Sequence, residues 1–311
     1  MAITMPGQTI NHIKASDEEL QKIRSTYVKK NKSPLPVVAG RIGFWLLIVA
    51  IIVYTLFPFY WAVVSSLTPA NDLFQSPVPL FPTSLTLDHY RVVFQDSSFL
   101  RAILNSVIVS TSVVLLALLL GTLSAYALGR LNFRGRKLVL YLILSMTMFP
   151  AIAILGSLFQ MMNDFRAFDT LWGLVIVYLT FTLPFTVWVL TNFFRAMPAE
   201  LEQSALVDGA TPMRALWDVL LPMAVPGIVT TAMLAFISAW SEFLFARTFT
   251  LTERATTVQV AISQFTGNQP FEEPFAVRMA AAVVVTVPLL VGVLIVQRRI
   301  IGGLTAGAVK G

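Results

Sequence analysis

Long apolar stretches recur along the chain and alternate with shorter polar loops. A helix needs about 20 mostly apolar residues to cross the hydrocarbon core of a bilayer. The third stretch is the weakest, because Pro150 breaks it and Gln160 lies within it. The pattern predicts an all-α, polytopic membrane protein with six transmembrane helices, at roughly 43–65, 102–128, 138–161, 171–194, 222–247 and 279–297.

The composition makes lipid the solvent for much of the chain. Of its 311 residues, 56% are hydrophobic and 12% are charged, whereas soluble domains are about 45–50% apolar and about 25% charged. The chain has no cysteine, which excludes a disulfide framework, a thiol nucleophile and a cysteine-ligated metal. The net charge of +6 comes from basic residues between the apolar stretches, so it indicates membrane topology and no nucleic-acid partner.

Basic residues are divided unequally between the two sides of the predicted membrane helices. The termini and loops 129–137 and 195–221 hold 16 of the 22 lysines and arginines. Because cytoplasmic loops carry the excess positive charge, both termini are predicted to be cytoplasmic. The first apolar stretch starts too far from the N-terminus for a secretory signal, so it is interpreted as an uncleaved span. The predicted organisation is a cytoplasmic tail over 1–42, a membrane domain over 43–297 and a cytoplasmic tail over 298–311.

The N-terminal tail contains a short amphipathic pattern. Ser16 and Glu19 have the spacing of a capping box, and Leu20, Ile23 and Tyr27 fall on one helical face. This pattern predicts either an amphipathic helix on the cytoplasmic leaflet or a solvated, partly ordered tail, and the sequence does not choose between them.

Small residues recur at a regular spacing on one of the predicted spans. Gly121, Ala125 and Gly129 recur every four residues on the second span, and this spacing predicts a close helix–helix contact.

Prolines remove a backbone donor from five spans, and such breaks are tolerated where other helices or a wet cavity cover them. They are Pro58, Pro150, Pro184, Pro226 and Pro288.

The loop after the fourth span has the pattern of a helix, a break and a second helix. Pro198 suits a first helical turn, and Gly209 suits a helix end because glycine accepts the left-handed conformation. Thr211 and Pro212 fit the N-cap and first position of the second helix. The apolar face predicted for that helix consists of Met213, Leu216, Trp217 and Leu220. A partly apolar knob of this kind needs a partner.

This loop resembles the EAA loop of ABC importer permeases, whose pattern is EAA, three residues, Gly, nine residues and I-x-L-P. The triplet falls on residues 203–205, the glycine on Gly209 and the last element on residues 219–222. Gln203 and Ser204 depart from the pattern, and Glu202 is predicted to carry part of the charged contact. We call residues 198–222 the EAA-like segment.

The resemblance extends over about 43–311, and within the family the chain is most similar to maltose- and trehalose-type sugar permeases. It is carried by the ending 301–311 and by the outer stretch 264–274. The family implies a cytoplasmic coupling helix that docks on an ATPase and switches the permease between inward- and outward-open states. The implied partners are a second permease subunit, an ATPase dimer, an extracytoplasmic sugar-binding protein or lipoprotein, and membrane lipid. The family implies no cofactor in this chain, because ATP and Mg are bound by the partner ATPase.

The resemblance also assigns candidate site residues. It places the contact with the ATPase on Leu201, Glu202, Gln203, Ala205, Asp208, Gly209, Ala210 and Met213. It places the contact with the binding protein on Asn268, Gln269 and Phe271, and it implies that the tail 302–311 threads along the ATPases.

A sugar path needs hydrogen-bond partners for hydroxyl groups and flat apolar faces for the ring. Polar and aromatic residues inside the spans supply these groups, and the predicted path candidates are Asn105, Trp188, Asn192, Trp240 and Glu242. Helix–helix hydrogen bonds for the amides and an interfacial belt for the tryptophans explain the same residues equally simply.

Other functions stay open on the residues alone. An importer of glycerol phosphate or another solute would carry the same loop. A membrane-embedded enzyme would need clustered catalytic groups, but the two histidines, His12 and His89, are far apart and no phosphate-binding or metalloprotease motif is present. A channel would conduct without ATP. The sequence therefore predicts a transport subunit, not an enzyme.

Overall fold

The computed structural model describes residues 34–73, 80–82, 84–265 and 274–306, with side chains between residues 40 and 296 of these ranges. Within the described residues the chain forms helices and no β-strand. The helices are α1 (Pro34–Leu67), α2 (Ala70–Leu73), α3 (Asp88–Gln95), α4 (Ser97–Gly129), α5 (Arg136–Thr147), α6 (Leu155–Asp164), α7 (Leu171–Ala196), α8 (Ala199–Val207), α9 (Pro212–Ala215), α10 (Leu221–Trp240), α11 (Leu244–Phe249), α12 (Val258–Gln264) and α13 (Phe275–Ala306).

Three of the predictions fall on residues outside the described ranges. They are the amphipathic pattern of the N-terminal tail, the binding-protein contact at Asn268, Gln269 and Phe271, and the last five residues of the C-terminal tail. The predicted boundaries of both tails fall inside helices, since α1 begins at Pro34 and α13 continues to Ala306.

Five helices in the described part of the chain are long and apolar enough to cross a membrane. They run over Gly40–Leu67, Ser97–Gly129, Leu171–Ala196, Pro212–Trp240 and Phe275–Val296, and they confirm five of the predicted spans. The third predicted span, 138–161, is not straight. It divides into Arg136–Thr147 and Ala151–Asp164, which are bent by 93° at the break. Pro150 lies there with extended backbone and has no N–H to continue a helical ladder.

Two further boundaries differ from the sequence prediction. The fifth span was expected to reach residue 247 but ends at Trp240, and α11 follows as a separate helix. The second span was expected to start at residue 102, but α4 begins at Ser97, in a stretch that also contains α3. Asp96 accepts hydrogen bonds from the N–H groups of Ser98 and Phe99, which explains why α4 starts there.

The chain divides into two units, one up to Tyr60 and one from Trp61 onward. In the first unit, the described part of α1 exposes large apolar side chains such as Leu46 and Tyr54. Such a surface suits contact with lipid or with another membrane helix.

The second unit is built on a close contact between α4 and α7. A Cβ added at Gly121 would lie 2.6 Å from Thr186 Cγ2, and one added at Gly129 would lie 3.2 Å from Phe194 Cβ. Ala125, between the two glycines, is fully buried. The predicted small-residue contact is therefore confirmed, and it makes α4 and α7 a tightly packed pair.

Candidate functional site

The first half of the EAA-like segment folds as its sequence predicts. Pro198 precedes α8, and the helix ends at Asp208. Gly209 has φ of +87°, the left-handed conformation that glycine adopts without steric cost. The N–H of Ala210 donates to the carbonyl oxygen of Ala205 at 3.0 Å and closes the helix end.

The second half joins the next membrane helix without a break. The Thr211 hydroxyl oxygen accepts a hydrogen bond from the N–H of Arg214, and Pro212 takes the first helical position. From there α9 continues through a π turn, Leu216–Leu220, into α10. The EAA-like segment is thus continuous with a membrane-spanning helix, so a displacement of one displaces the other.

The predicted apolar face of this second half splits into two parts. Leu216 and Leu220 are fully buried and pack in a cluster that includes Leu190. Met213 and Trp217 are 51% and 49% exposed. Only part of the face therefore stabilises the fold, and the rest stays on the surface.

The outward surface of the EAA-like segment mixes polar and apolar side chains. Val207 is 87% exposed and Leu206 is 41% exposed. Among the predicted coupling residues, Gln203, Asp208, Gly209 and Met213 are exposed, whereas Leu201, Glu202, Ala205 and Ala210 are half-buried. Residues 206–209 of this surface lie at the turn between α8 and α9, and Met213 and Trp217 lie at the start of the helical stretch Pro212–Trp240.

Glu202 points inward, away from this surface. Its Oε1 accepts a hydrogen bond from the Tyr126 hydroxyl at 2.7 Å, and its Oε2 lies 3.5 Å from Nε of Arg130. The Arg130 and Glu202 side chains are only 8% and 13% exposed. The Tyr126 hydroxyl also lies 3.1 Å from the carbonyl oxygen of Pro212, and Arg130 Nη2 donates to that of Pro198. We call these five residues the Glu202 cluster.

Sequence reasoning missed two members of this cluster. Tyr126 and Arg130 stand four residues apart at the end of the second span, which places them on one helical face. Arg130 entered the sequence argument only as one of the basic residues of loop 129–137. A tyrosine and an arginine sharing the last turn of a span is the signal that could have found them.

At the opposite end of α4, two polar side chains hold the stretch 253–258. Asn105 Nδ2 donates to the carbonyl oxygens of Glu253 and Thr256 at 3.1 and 3.0 Å. Ser106 Oγ accepts a hydrogen bond from the N–H of Val258 at 2.8 Å. Asn105 was predicted to line a substrate path, but its buried amide group is already used for this structural contact.

Asp169 is a second anchor for the same end of the molecule. Its carboxylate accepts hydrogen bonds from the N–H groups of Leu251 and Thr252 and from the Thr252 hydroxyl. Burial raises the pKa of this carboxyl, but these hydrogen bonds and the charge of Arg254 outweigh burial and leave the pKa below its ordinary value.

Glu242 is the substrate-path candidate that lines a described cavity. This cavity of about 220 Å³ lies between α7 and α10 and is also lined by Tyr178, Phe181, Thr182 and Ser238. The two carboxylate oxygens of Glu242 accept hydrogen bonds from the N–H groups of Phe245 and Ala246 at 2.7 and 3.0 Å. Glu242 therefore caps α11 while facing a cavity with aromatic and hydroxyl walls.

The other three path candidates lie elsewhere. Trp240 is 7% exposed and stacks on Phe236 with ring centroids 5.6 Å apart, so its ring belongs to the core. Trp188 and Asn192 lie on exposed parts of α7. The structure does not bring these three together with Glu242 in its cavity.

Comparison with known proteins decides the family. Residues 117–304 match the family described as binding-protein-dependent transport system inner membrane components. The chain belongs to this family. It is 42% identical over 274 residues to the trehalose transport system permease protein SugB of Mycobacterium tuberculosis, which covers 88% of this chain and 99% of that protein. It is 37% identical over 258 residues to the trehalose/maltose transport system permease protein MalG of Thermococcus litoralis, which covers 82% of this chain and 92% of that protein.

The fold agrees with solved structures of such permeases. A bacterial ABC transporter involved in the import of the acidic polysaccharide alginate contains a chain that matches with a TM-score of 0.74 at 23% identity, covering 86% of this chain and 98% of that one. A second structure, of the bacterial alginate transporter with a pentasaccharide-bound periplasmic protein, matches with a TM-score of 0.65 at 19% identity, covering 86% and 96%. The predicted ABC importer permease family is thus confirmed, and the chain is an inner-membrane transport subunit, not an enzyme.

Proposed function

We propose that this permease is one of two membrane subunits of an ATP-driven importer for a sugar, with trehalose or maltose as the first candidates. The exposed surface of the EAA-like segment carries this proposal, because it presents the apolar side chains of Val207, Met213 and Trp217 to a partner. The named functions of the relatives support a sugar as the solute.

The partner at this surface is an ATPase subunit, and a second ATPase engages the second permease. An apolar knob rimmed by Gln203 and Asp208 suits a cleft that buries Val207 and Trp217 and pairs the polar rim. ATP and Mg bind in the ATPases. ATP shifts the permease between inward- and outward-open states only if the ATP-bound ATPases dock on the two states with different free energies.

The EAA-like segment and both termini face the cytoplasm in this proposal. Loop 129–137 supports this orientation. It contains Arg130, which contacts the EAA-like segment, and it also carries Arg134, Arg136 and Lys137, the excess of basic residues that is typical of cytoplasmic loops. The opposite end of α4, with its attached stretch 253–258, then faces the extracytoplasmic sugar-binding protein. Residues 264–274, which follow that stretch, are the proposed contact with it.

The cavity at Glu242 is the proposed contribution of this subunit to the sugar path. Its carboxylate and the hydroxyl groups of Tyr178, Thr182 and Ser238 suit sugar hydroxyls, and Phe181 offers a flat face to a ring. The rest of the path belongs to the second permease.

Co-purification tests the proposal. A tag on this chain should recover an ATPase, a second permease and a binding protein from native membranes. Uptake of labelled trehalose, maltose and glycerol phosphate by the reconstituted complex then separates a sugar importer from a sugar-phosphate importer. Uptake that does not require ATP would indicate a channel instead.

A matched pair of variants tests the docking surface itself. Val207→Arg places a charge at the most exposed apolar position of the segment and should reduce the recovered ATPase at least about tenfold, because a buried unpaired charge is costly. Leu251→Arg makes the same change at a 74% exposed leucine at the opposite end of the unit and should leave ATPase recovery unchanged. Equal recovery with both variants would remove the docking role.

A further inference from the structure

Glu202 belongs to the motif that docks on the ATPase, yet it does not face the docking surface. Its side chain is 13% exposed, and its carboxylate contacts Arg130 and Tyr126 of α4 and its C-cap. Gln203, the next residue, is exposed where the family pattern has its glutamate. Of the two neighbours, Gln203 is therefore exposed and Glu202 packs against the end of α4.

The Glu202 cluster connects parts of the chain that are far apart in sequence. In the sequence, Glu202 is 76 residues and Pro212 is 86 residues away from Tyr126. Tyr126 and Arg130 belong to the last turn of α4 and its C-cap. The contacts therefore join the end of α4 to both halves of the EAA-like segment.

Because the side chains of Glu202 and Arg130 are buried, their contact favours one arrangement of the two helices. Removing one member of a buried ion pair leaves the other charge uncompensated, which is strongly unfavourable. Arg130 cannot turn away to water without losing its hydrogen bond to the Pro198 carbonyl oxygen, which marks the start of α8. The geometry therefore favours one arrangement of α8 against α4.

The helix α4 can carry a displacement from this joint to the other side of the unit. It is one continuous helix, and Gly121 and Gly129 pack it tightly on α7. Asn105 and Tyr126 lie about 31 Å apart along its axis, at about 1.5 Å per residue. Asn105 and Ser106 hold the stretch 253–258 at the far end.

We propose that Glu202 is a positioning residue that fastens α4 to the EAA-like segment, so that α4 moves with the segment when the ATPases close. The motion then reaches the stretch 253–258 through Asn105 and Ser106. This inference rests on the proposed docking of the segment on an ATPase. It assigns Glu202 to the transmission of motion, and it leaves the contact with the ATPase to Gln203 and its exposed neighbours.

A matched pair of charge-removing variants tests the inference in the complete transporter. Glu202→Gln should lower the amount of labelled trehalose taken up per ATP hydrolysed by about fivefold to tenfold, because it removes the charge that Arg130 faces. Glu200→Gln removes a charge from the same helical turn at an exposed position and should leave this ratio unchanged. Both variants should retain the co-purified ATPase, since neither changes Val207 or Trp217, the exposed apolar side chains proposed to dock.

Chemical relinking separates transmission from a merely structural role. The chain has no cysteine of its own, so Arg130→Cys with Glu202→Cys introduces a unique pair. Without treatment this double variant should have the low uptake per ATP of Glu202→Gln. A short bis-methanethiosulfonate cross-linker that rejoins the two positions should restore at least half of the wild-type ratio.

Three outcomes would overturn the inference. They are a wild-type ratio in Glu202→Gln, an equal loss in Glu200→Gln, and a double-cysteine variant that is uncoupled before and after cross-linking. The proposed function is tested separately by the wild-type preparation, because failure of wild-type protein to recover an ATPase would contradict docking before any variant is compared.

Discussion

The two ends of α4 hold distant segments of the chain by different physical means. At the end with the EAA-like segment, the contact includes an ion pair between Arg130 and Glu202 at 3.5 Å. At the other end, the neutral side chains of Asn105 and Ser106 bond directly to backbone groups at 2.8–3.1 Å. Both joints are largely buried, so the contrast lies in charge and distance and not in exposure to solvent.

This difference suits an attachment that survives small displacements at one end and a rigid anchor at the other. Coulomb attraction falls gradually with separation, so an ion pair tolerates small displacements. A neutral hydrogen bond weakens steeply outside its narrow range of distance and angle. The ion pair therefore keeps α4 attached to the EAA-like segment through small displacements, so that α4 moves with the segment, and the stretch 253–258 follows α4 closely.

The largest effect is expected from breaking the turn that shapes the docking end. Gly209→Pro is incompatible with a φ of +87°, since proline requires a φ near −65°, and it also removes the N–H that donates to the Leu206 carbonyl oxygen at 3.1 Å. Sugar uptake should fall to background, measured with labelled trehalose in whole cells.

Gly209→Asn is the control for this prediction. Asparagine tolerates the left-handed conformation, and an added Cβ meets no atom within 4 Å. Its uptake should stay within about twofold of wild type. Uptake by the proline variant at the level of the asparagine variant would show that the shape of this turn is unimportant.

A smaller effect is expected from breaking the anchor at the other end. Asn105→Ala removes the donors to the carbonyl oxygens of Glu253 and Thr256, and burial of groups left unbonded costs about 1–3 kcal/mol. The apparent melting temperature of the purified protein should fall by several degrees. Asn192→Ala, at an exposed position of α7, should hardly change it. Equal melting temperatures would mean that the stretch 253–258 is held by other contacts.

A further prediction concerns the cavity between these two ends. Glu242→Ala should destabilise α11 by about 1 kcal/mol, because the helix loses its capping acceptor. Glu242→Gln keeps an amide oxygen that can accept one of the N–H groups, so its melting temperature should change less. If Glu242 contacts the sugar, the glutamine variant should nevertheless raise the KM for uptake. An unchanged KM would leave Glu242 as a structural cap alone.

The sequence predicted those features of the fold that depend on neighbouring residues or on residues at a regular spacing. Hydrophobic length predicted six spans, five of which are continuous helices, glycine and proline chemistry predicted the turn at Gly209, and four-residue spacing predicted the packing of Gly121 and Gly129. The break at Pro150 was predicted, but its angle of 93° was not. Four other prolines stand inside spans as well, and the local sequence does not give the angle that each one produces.

The two joints of α4 were not predictable in the same way. Asn105 meets its partners across about 150 residues of sequence, and Glu202 meets Tyr126 across 76. Residue type alone made Asn105 a substrate-path candidate and Glu202 a partner-facing charge. Tertiary packing decides which polar groups are already bonded inside the chain, and that information is not contained in local spacing.

The smallest expected effect is a dependence of stability on pH that arises from Asp169, at the end of the unit opposite the EAA-like segment. The carboxyl of Asp169 has a pKa below its ordinary value because hydrogen bonds from Leu251 and Thr252 and the charge of Arg254 favour the ionised form. A group with a depressed folded-state pKa stabilises the fold above its unfolded pKa, about 3.9, and this contribution is lost as pH falls through the folded value. Asp169→Asn should therefore melt slightly below wild type at pH 7, and the difference should disappear in strong acid. A difference that persists unchanged below pH of about 2 would show that lost geometry, and not lost charge, causes the effect.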